Sequence, residues 1–334
     1  MRTSELDYEL PEELIAQRPA VPRDSSRLMV VDAATGEISH RVFYDLPGFL
    51  RPGDALVLNE TKVLPARLVA RRPGGGAAEL LFLGEIDDGS WKVLARPSRR
   101  LKPGMELSVN GDSLRLLEPL GDGRWAVAAT DVPALLGRHG RMPLPPYISA
   151  TPEAEEEYQT VYARVPGSAA APTAGLHFTE RVLDGVDRVG AEVQKITLHV
   201  GTGTFSPVRT EELTEHQMHA ERYFVPEETS RRVGEAERVF AVGTTAARTL
   251  ESWAASGELE GETELFVSPG YRWRAVDALL TNFHLPRSTL LAMVMSFAGK
   301  DLVREAYAVA VKERYRFYSF GDAMLLLNGG RGRV

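Results

Sequence analysis

Four of the seven histidines in this 334-residue chain lie in short loops rich in Gly, Thr and Asn, residue types that a hydrophobic core does not ask for. His177 closes Ala171-Pro-Thr173-Ala-Gly-Leu-His177, just ahead of a predicted helix that Thr179 would cap. His199 ends a predicted strand that runs into Val200-Gly201-Thr-Gly203-Thr-Phe205, where two glycines let the backbone approach a ligand closely. His219 stands in His216-Gln-Met-His219-Ala-Glu221, and His284 in Leu280-Thr281-Asn282-Phe-His284-Leu-Pro286. Imidazole exchanges its proton nearest to neutral pH, so these loops are candidates for general acid and general base work. A further stretch, Val242-Gly-Thr244-Thr245-Ala-Ala-Arg248, takes a strand through a tight turn into a helix. It offers free backbone N–H groups and hydroxyls to a carboxylate or a phosphate.

Other chemistries have less support. His216 and His219 stand three apart with Glu221 nearby, a spacing that would share a face of a helix and hold a metal. The flanking residues are not a helical pattern, there is no H-E-x-x-H, and the chain has no cysteine, so no metal is expected. A blander reading of the same residues is a polar surface turn. The absence of cysteine also removes thiolate catalysis and disulfides, and agrees with a reducing compartment. A lone G-x-G is a weak fingerprint, and no G-x-x-x-x-G-K-[ST] is present for nucleoside triphosphate hydrolysis.

The elements that must position these loops alternate between strand and helix. Strands are predicted at Arg27–Val31, Asp54–Asn59, Val193–Val200, Val239–Val242, Glu264–Val267 and Ala278–Asn282. Helices are predicted at Thr179–Val189, Ala246–Ala255, Ser288–Ala298 and Asp301–Lys312. Such alternation predicts a mixed, largely parallel α/β sheet covered by helices, and ligands of such sheets gather outside the carboxyl ends of the strands. Between these flanks the pattern changes. Six short β-rich runs, Arg67–Arg72, Ala78–Ile86, Trp91–Pro97, Met105–Asn110, Ser113–Leu120 and Arg124–Thr130, are separated by PGGG, DDGS, KPG, NGD and GDG. They predict an antiparallel six-stranded β-barrel over residues 66–150, inserted into an α/β domain made of 1–65 and 151–334.

Charge follows the same division. The whole chain carries a formal −7, whereas residues 66–150 carry twelve Lys or Arg against nine Asp or Glu, a net +3. Arg99, Arg100 and Lys102 sit together beside one inter-strand loop. A basic island in an acidic chain is the candidate contact for a polyanion. The acidic N-terminus lacks the basic start and apolar run of a secretory signal, and the longest apolar run is far short of the roughly 18 residues that span a bilayer. A cytoplasmic protein is expected.

The same loops, with several other stretches, resemble the S-adenosylmethionine:tRNA ribosyltransferase-isomerase family of queuosine biosynthesis. The resemblance begins with Asp7-Tyr-Glu-Leu-Pro11, Ile15-Ala-Gln-Arg-Pro19 and Arg23-Asp-Ser-Ser-Arg27. It continues through Leu58-Asn-Glu-Thr-Lys62, Pro65-Ala-Arg67, Pro145-Pro-Tyr-Ile148 and Tyr158-Gln-Thr-Val-Tyr162 to Arg316-Phe-Tyr-Ser-Phe-Gly-Asp-Ala-Met324. It implies an α/β domain interrupted by a β-barrel. It also implies transfer and isomerisation of the ribosyl part of S-adenosylmethionine onto 7-aminomethyl-7-deazaguanine at the tRNA wobble position, giving epoxyqueuosine-tRNA, adenine and methionine. No metal or redox cofactor is implied, only S-adenosylmethionine as co-substrate. On this footing His177, His199, His219 and His284 surround a cleft, with His177 or His199 as base and Glu221 or Asn282 orienting it. Thr244, Thr245 and Arg248 hold the methionine carboxylate. Thr173, Gly201, Gly203 and Thr281 complete the substrate loops, and Asn59, Lys62 and Arg67 contact tRNA or ribose. Arg99, Arg100 and Lys102 bind the tRNA backbone. A monomer is favoured. The rival readings are a non-catalytic tRNA-binding module and a metal-dependent hydrolase built on His216 and His219.

Overall fold

The apolar runs at the two ends of the chain pair with one another in a single sheet. The computed structural model describes residues 1–86, 88–201, 208 and 210–330. From the N-terminal flank come β1 (Arg27–Asp32), β2 (Ile38–Val42), β3 (Asp54–Asn59) and the short β4 (Thr61–Val63). After the barrel strands β5–β10 come β11 (Val165–Ser168), β12 (Glu192–Leu198), β13 (Glu221–Phe224), β14 (Arg238–Val242), β15 (Glu260–Thr263), β16 (Ala278–Asn282) and β17 (Ala323–Leu327). Nine of these form one sheet in the order β15-β13-β12-β3-β14-β16-β17-β1-β2. Every residue of β3 is buried, as befits a central strand with helices on both faces.

The four central strands β12, β3, β14 and β16 run parallel, so their carboxyl ends share one edge. Outside them the sheet is mostly antiparallel. β1 pairs parallel with β17, but β16 with β17, β12 with β13, β13 with β15, and β1 with β2 are antiparallel. The strand–helix alternation predicts the parallel centre and misses these returns, because β1 and β2 are joined by a short turn with no crossover helix to read. A second difference has a packing cause. The strand predicted at Glu264–Val267 is instead β15, four residues earlier. The edge position goes to the polar run Glu260-Gly-Glu-Thr263, while Leu265, Phe266 and Val267 turn inward.

Helix α3 (Glu180–Arg188) covers one face of the sheet, burying Val182 and Val186 against Leu56, Leu58 and Phe240. Helices α5 (Gly243–Ser256), α6 (Thr289–Ala298) and α7 (Lys300–Lys312) cover the other, and α1 (Val132–His139), α2 (Pro152–Glu157) and α4 (Glu227–Glu235) are shorter. Ser288 caps α6 by accepting from the Leu291 N–H at 3.1 Å. Thr179 stands at the N-cap of α3 but does not cap it. Its hydroxyl donates instead to the Asp24 carboxylate at 2.6 Å, tying the helix to the N-terminal segment. Among the described residues no helix is long and apolar enough to cross a membrane.

The inserted segment closes as predicted: β5 (Arg67–Arg71), β6 (Ala77–Glu85), β7 (Trp91–Arg96), β8 (Glu106–Val109), β9 (Asp112–Gly121) and β10 (Arg124–Ala128) form a closed antiparallel barrel. Alternate residues face its interior, Leu68 and Ala70 on β5, Ala78, Leu80 and Phe82 on β6, Val93 and Ala95 on β7. Val132, Leu135 and Leu136 of α1 join the same core.

Candidate active site

At the carboxyl ends of the parallel strands the chain leaves the sheet in loops that border a cleft. Thr173 comes from the 3-10 turn Thr173–His177, Val200 follows β12, Gly243, Thr244 and Thr245 follow β14, and Thr281 to Leu285 span the end of β16 and the loop after it. The turn into α5 depends on Gly243, whose φ of 87° lies in the left-handed region that side chains disfavour. That turn brings the first residues of a fourteen-residue helix to the cleft with no side chain capping them. Unpaired N–H groups at a helix start favour an anionic ligand.

His284 is the one candidate histidine that lines the cleft. Its main chain is held on both sides: the amide donates to the Tyr307 hydroxyl at 3.0 Å, and the carbonyl accepts from the Tyr8 hydroxyl at 2.5 Å. The ring Nε2 lies 2.7 Å from the Thr281 hydroxyl. Burial drives its pKa down to about 3, so the imidazole is neutral at physiological pH.

His177 stands behind the cleft wall. Asn282 accepts from the Thr173 hydroxyl at 2.8 Å through Oδ1 and donates through Nδ2 to His177 Nε2 at 3.1 Å. Nε2 is then the acceptor, which leaves Nδ1–H to donate to Ser26 Oγ at 2.8 Å. Phe43 stacks on the ring at 5.0 Å. Burial, with the charges of Arg316 and Arg23, pulls its pKa down to about 3. With both nitrogens engaged, His177 serves as a fixed post for Asn282 rather than as an open base. His199 lies further out, half-buried, its Nδ1 2.9 Å from Thr61 Oγ1, with burial and then the Arg222 charge lowering its pKa. His219 is exposed, and His216 meets the edge of Phe266. Among the described residues no three His, Cys, Asp or Glu side chains are gathered to hold a metal.

A second compartment adjoins the first through shared Thr244, Thr245 and Leu290. Met218, Leu265, Phe266, Val267 and Met293 make it largely apolar, and Glu221 and Arg248 line it too. The two form a buried ion pair at 2.5 Å. Arg248 also donates to the carbonyls of His219 and Thr263, and Glu221 accepts from the Gly201 amide at 2.8 Å. Both terminal nitrogens of Arg248 are thus bonded to protein acceptors, while its buried Nε has no partner among the described residues. Burial lowers its pKa, with Glu221 and Glu264 acting in the opposite sense.

Other expected contacts fall away from the cleft. Asn59 is fully buried and committed: it accepts from the Thr61 and Leu198 amides and donates to Leu198 O and Thr245 Oγ1, stitching β3 to β12. It has no donor or acceptor to spare for tRNA or ribose. Arg67 pairs with Glu79 at 3.1 Å and Leu144 O at 3.2 Å, whereas Lys62 is exposed on β4. Arg99, Arg100 and Lys102 are exposed together at the turn between β7 and β8. Gly203 lies outside the described residues. The residue-type reading passed over Tyr147, Tyr318 and Ser319, which line the cleft from Pro-Pro-Tyr-Ile and Phe-Tyr-Ser-Phe. Their signal was present, two tyrosines in otherwise apolar or turn-forming motifs, but aromatic residues read first as core.

The sheet, the inserted barrel and this cleft define one protein class, and residues 3–326 match the family described as queuosine biosynthesis protein, to which the chain belongs. It is 72% identical over 332 residues to the S-adenosylmethionine:tRNA ribosyltransferase-isomerase of Rubrobacter xylanophilus, covering 99% of each chain. The enzyme of that name from Thermotoga maritima is 50% identical over 336 residues, which cover 98% of this chain and all of the relative. The crystal structure of S-adenosylmethionine tRNA ribosyltransferase from Thermotoga maritima superposes with a TM-score of 0.57 at 42% identity, over 97% of this chain and all of that one.

Proposed function

We propose that this chain is a cytoplasmic enzyme that transfers and isomerises the ribosyl part of S-adenosylmethionine onto 7-aminomethyl-7-deazaguanine in the tRNA wobble position, releasing adenine and methionine. The observation that carries the reading is the pair of adjoining compartments at the carboxyl ends of the four parallel strands. One is bounded by His284, Asn282 and the start of α5; the other holds a buried ion pair among apolar side chains.

S-adenosylmethionine has matching halves. The methylene chain of its methionine part fits the apolar compartment, and its carboxylate takes the N–H groups and hydroxyls of Thr244 and Thr245, with Arg248 and Glu221 beside them. The nucleoside half then occupies the larger cleft beside His284. The sulfonium acidifies the neighbouring 5′ carbon, and His284, the candidate histidine that lines the cleft, takes that proton, with Thr281 steadying its Nε2. Loss of the proton opens the ribose and expels adenine. The aminomethyl nitrogen of the tRNA base attacks, and closure of the epoxide displaces methionine. Asn282, fixed by Thr173 and His177, presents a rigid amide to the sugar. No step calls for a metal or a redox cofactor. The exposed Arg99, Arg100 and Lys102 of the barrel hold the tRNA backbone.

Incubation with S-adenosylmethionine and tRNA carrying the modified base tests the reading. Free adenine should form only when both are present. Adenine formation without tRNA, or none with it, overturns the reading.

A further inference from the structure

Two tyrosines in the cleft have no part in the proton and leaving-group steps above. Tyr147 and Tyr318 line it side by side, ring centroids 4.7 Å apart and planes at 53°. The Tyr147 hydroxyl lies 2.7 Å from the hydroxyl of Ser319, a third lining residue. Both rings are held by more than packing. Gln17 donates to the Tyr147 carbonyl at 2.8 Å and accepts from the Ser149 amide at 2.9 Å, clamping the loop on either side of the ring. The Tyr318 amide donates to the Phe283 carbonyl at 3.1 Å, which registers it against the His284 loop.

Tyr318 is also strained. Its φ is 71°, a left-handed conformation that costs a bulky residue free energy and that Gly or Asn would adopt without difficulty. The turn around it is over-determined. Gly321 donates to Tyr318 O, Asp322 donates to Arg316 O, and a Cβ on Gly321 would lie 2.4 Å from Arg316 O. Strain of this kind persists where the side chain is needed in place. What the backbone secures here is the delivery of two consecutive side chains, Tyr318 and Ser319, into the cleft opposite Tyr147.

We propose that Tyr147 and Tyr318 form an aromatic wall that stacks the flat heterobicyclic base of a substrate, with Ser319 fixing the tilt of the Tyr147 ring. The proposal rests on the reaction assigned above, which brings two such rings to the site, the adenine of S-adenosylmethionine and the deazaguanine of the tRNA. Their shared chemistry is an aromatic face with polar edges, which a tyrosine pair accepts without reading the edges.

Equilibrium binding distinguishes the two sources and does not depend on turnover. Dissociation constants for S-adenosylmethionine and for the modified tRNA are measured separately by calorimetry on the full chain. The variants are Tyr147→Ala, Tyr318→Gly, Tyr147→Phe and Tyr318→Phe. Tyr318→Gly removes the ring while relieving the backbone, and a thermal melt checks that the variant is folded at the temperature of the titration. Loss of either ring should weaken one of the two ligands by about tenfold or more, and the Phe variants should stay within about threefold of the parent. A shift for S-adenosylmethionine places adenine on the wall, and a shift for tRNA places the deazaguanine there. If both constants stay at the parent value in Tyr147→Ala and Tyr318→Gly, the wall does not exist. Failure of the parent protein to release adenine would instead count against the reaction, and leaves these constants just as decisive for the wall.

Discussion

His177 and His284 read alike in the sequence, each a histidine in a Thr-bearing loop, yet one stands behind the cleft wall and the other faces the cleft. Motif spacing gives the loop but not the side of the wall on which a ring lies, since that depends on partners such as Ser26, Phe43 and Tyr8 from distant parts of the chain. Both rings are buried and neutral, and this has a measurable consequence. The unfolded chain takes up a proton on each near pH 6.5, while the folded chain does so only near pH 3. Over that window the unfolded state binds more protons, so stability falls as the pH is lowered and is fully present above it. Between pH 6.5 and 5 each histidine should cost about 2 kcal/mol, read from urea unfolding. His177→Asn should remove its share of that slope. A slope unchanged in this variant would show that His177 titrates normally in the folded chain.

At the scale of elements, strands were the most legible feature. β16 and β3 fall where the apolar runs place them, and the six barrel strands differ from expectation only at their ends, because turn residues such as Asn110-Gly111 and Asp122-Gly123 punctuate them. The edge strand β15 escaped because its sequence is polar and its partner β13 is remote. Glu221 shows the same limit at the site. It reads as a histidine's orienting carboxylate, but the fold sets α5 beside β13 and gives it Arg248. The turn from β14 into α5 was visible as Val-Gly-Thr-Thr, and the left-handed Gly243 is its pivot. Gly243→Ala should lower stability by about 1–2 kcal/mol, because a Cβ is disfavoured at that φ. It should also weaken S-adenosylmethionine binding, because Thr244 and Thr245 move with the turn. Equal denaturation midpoints and equal affinity for parent and variant would remove the turn from the account.

Taken whole, the molecule has two parts of different character. A sheet edge supplies a small-molecule cleft, and an inserted barrel carries basic side chains that an acidic protein cannot offer elsewhere in such density. The charge asymmetry was visible in the sequence, although it gave no geometry. Replacing Arg99, Arg100 and Lys102 by Gln should weaken tRNA binding and reduce the slope of log affinity against log salt by about two. An unchanged slope would put the tRNA on another surface. The most direct test of the account concerns the cleft itself. Single-turnover release of adenine from S-adenosylmethionine and modified tRNA should fall by about a hundredfold or more in His284→Ala, with its melting temperature matching the parent's. Adenine released by that variant at the parent rate would contradict the placement of the chemistry at this edge of the sheet.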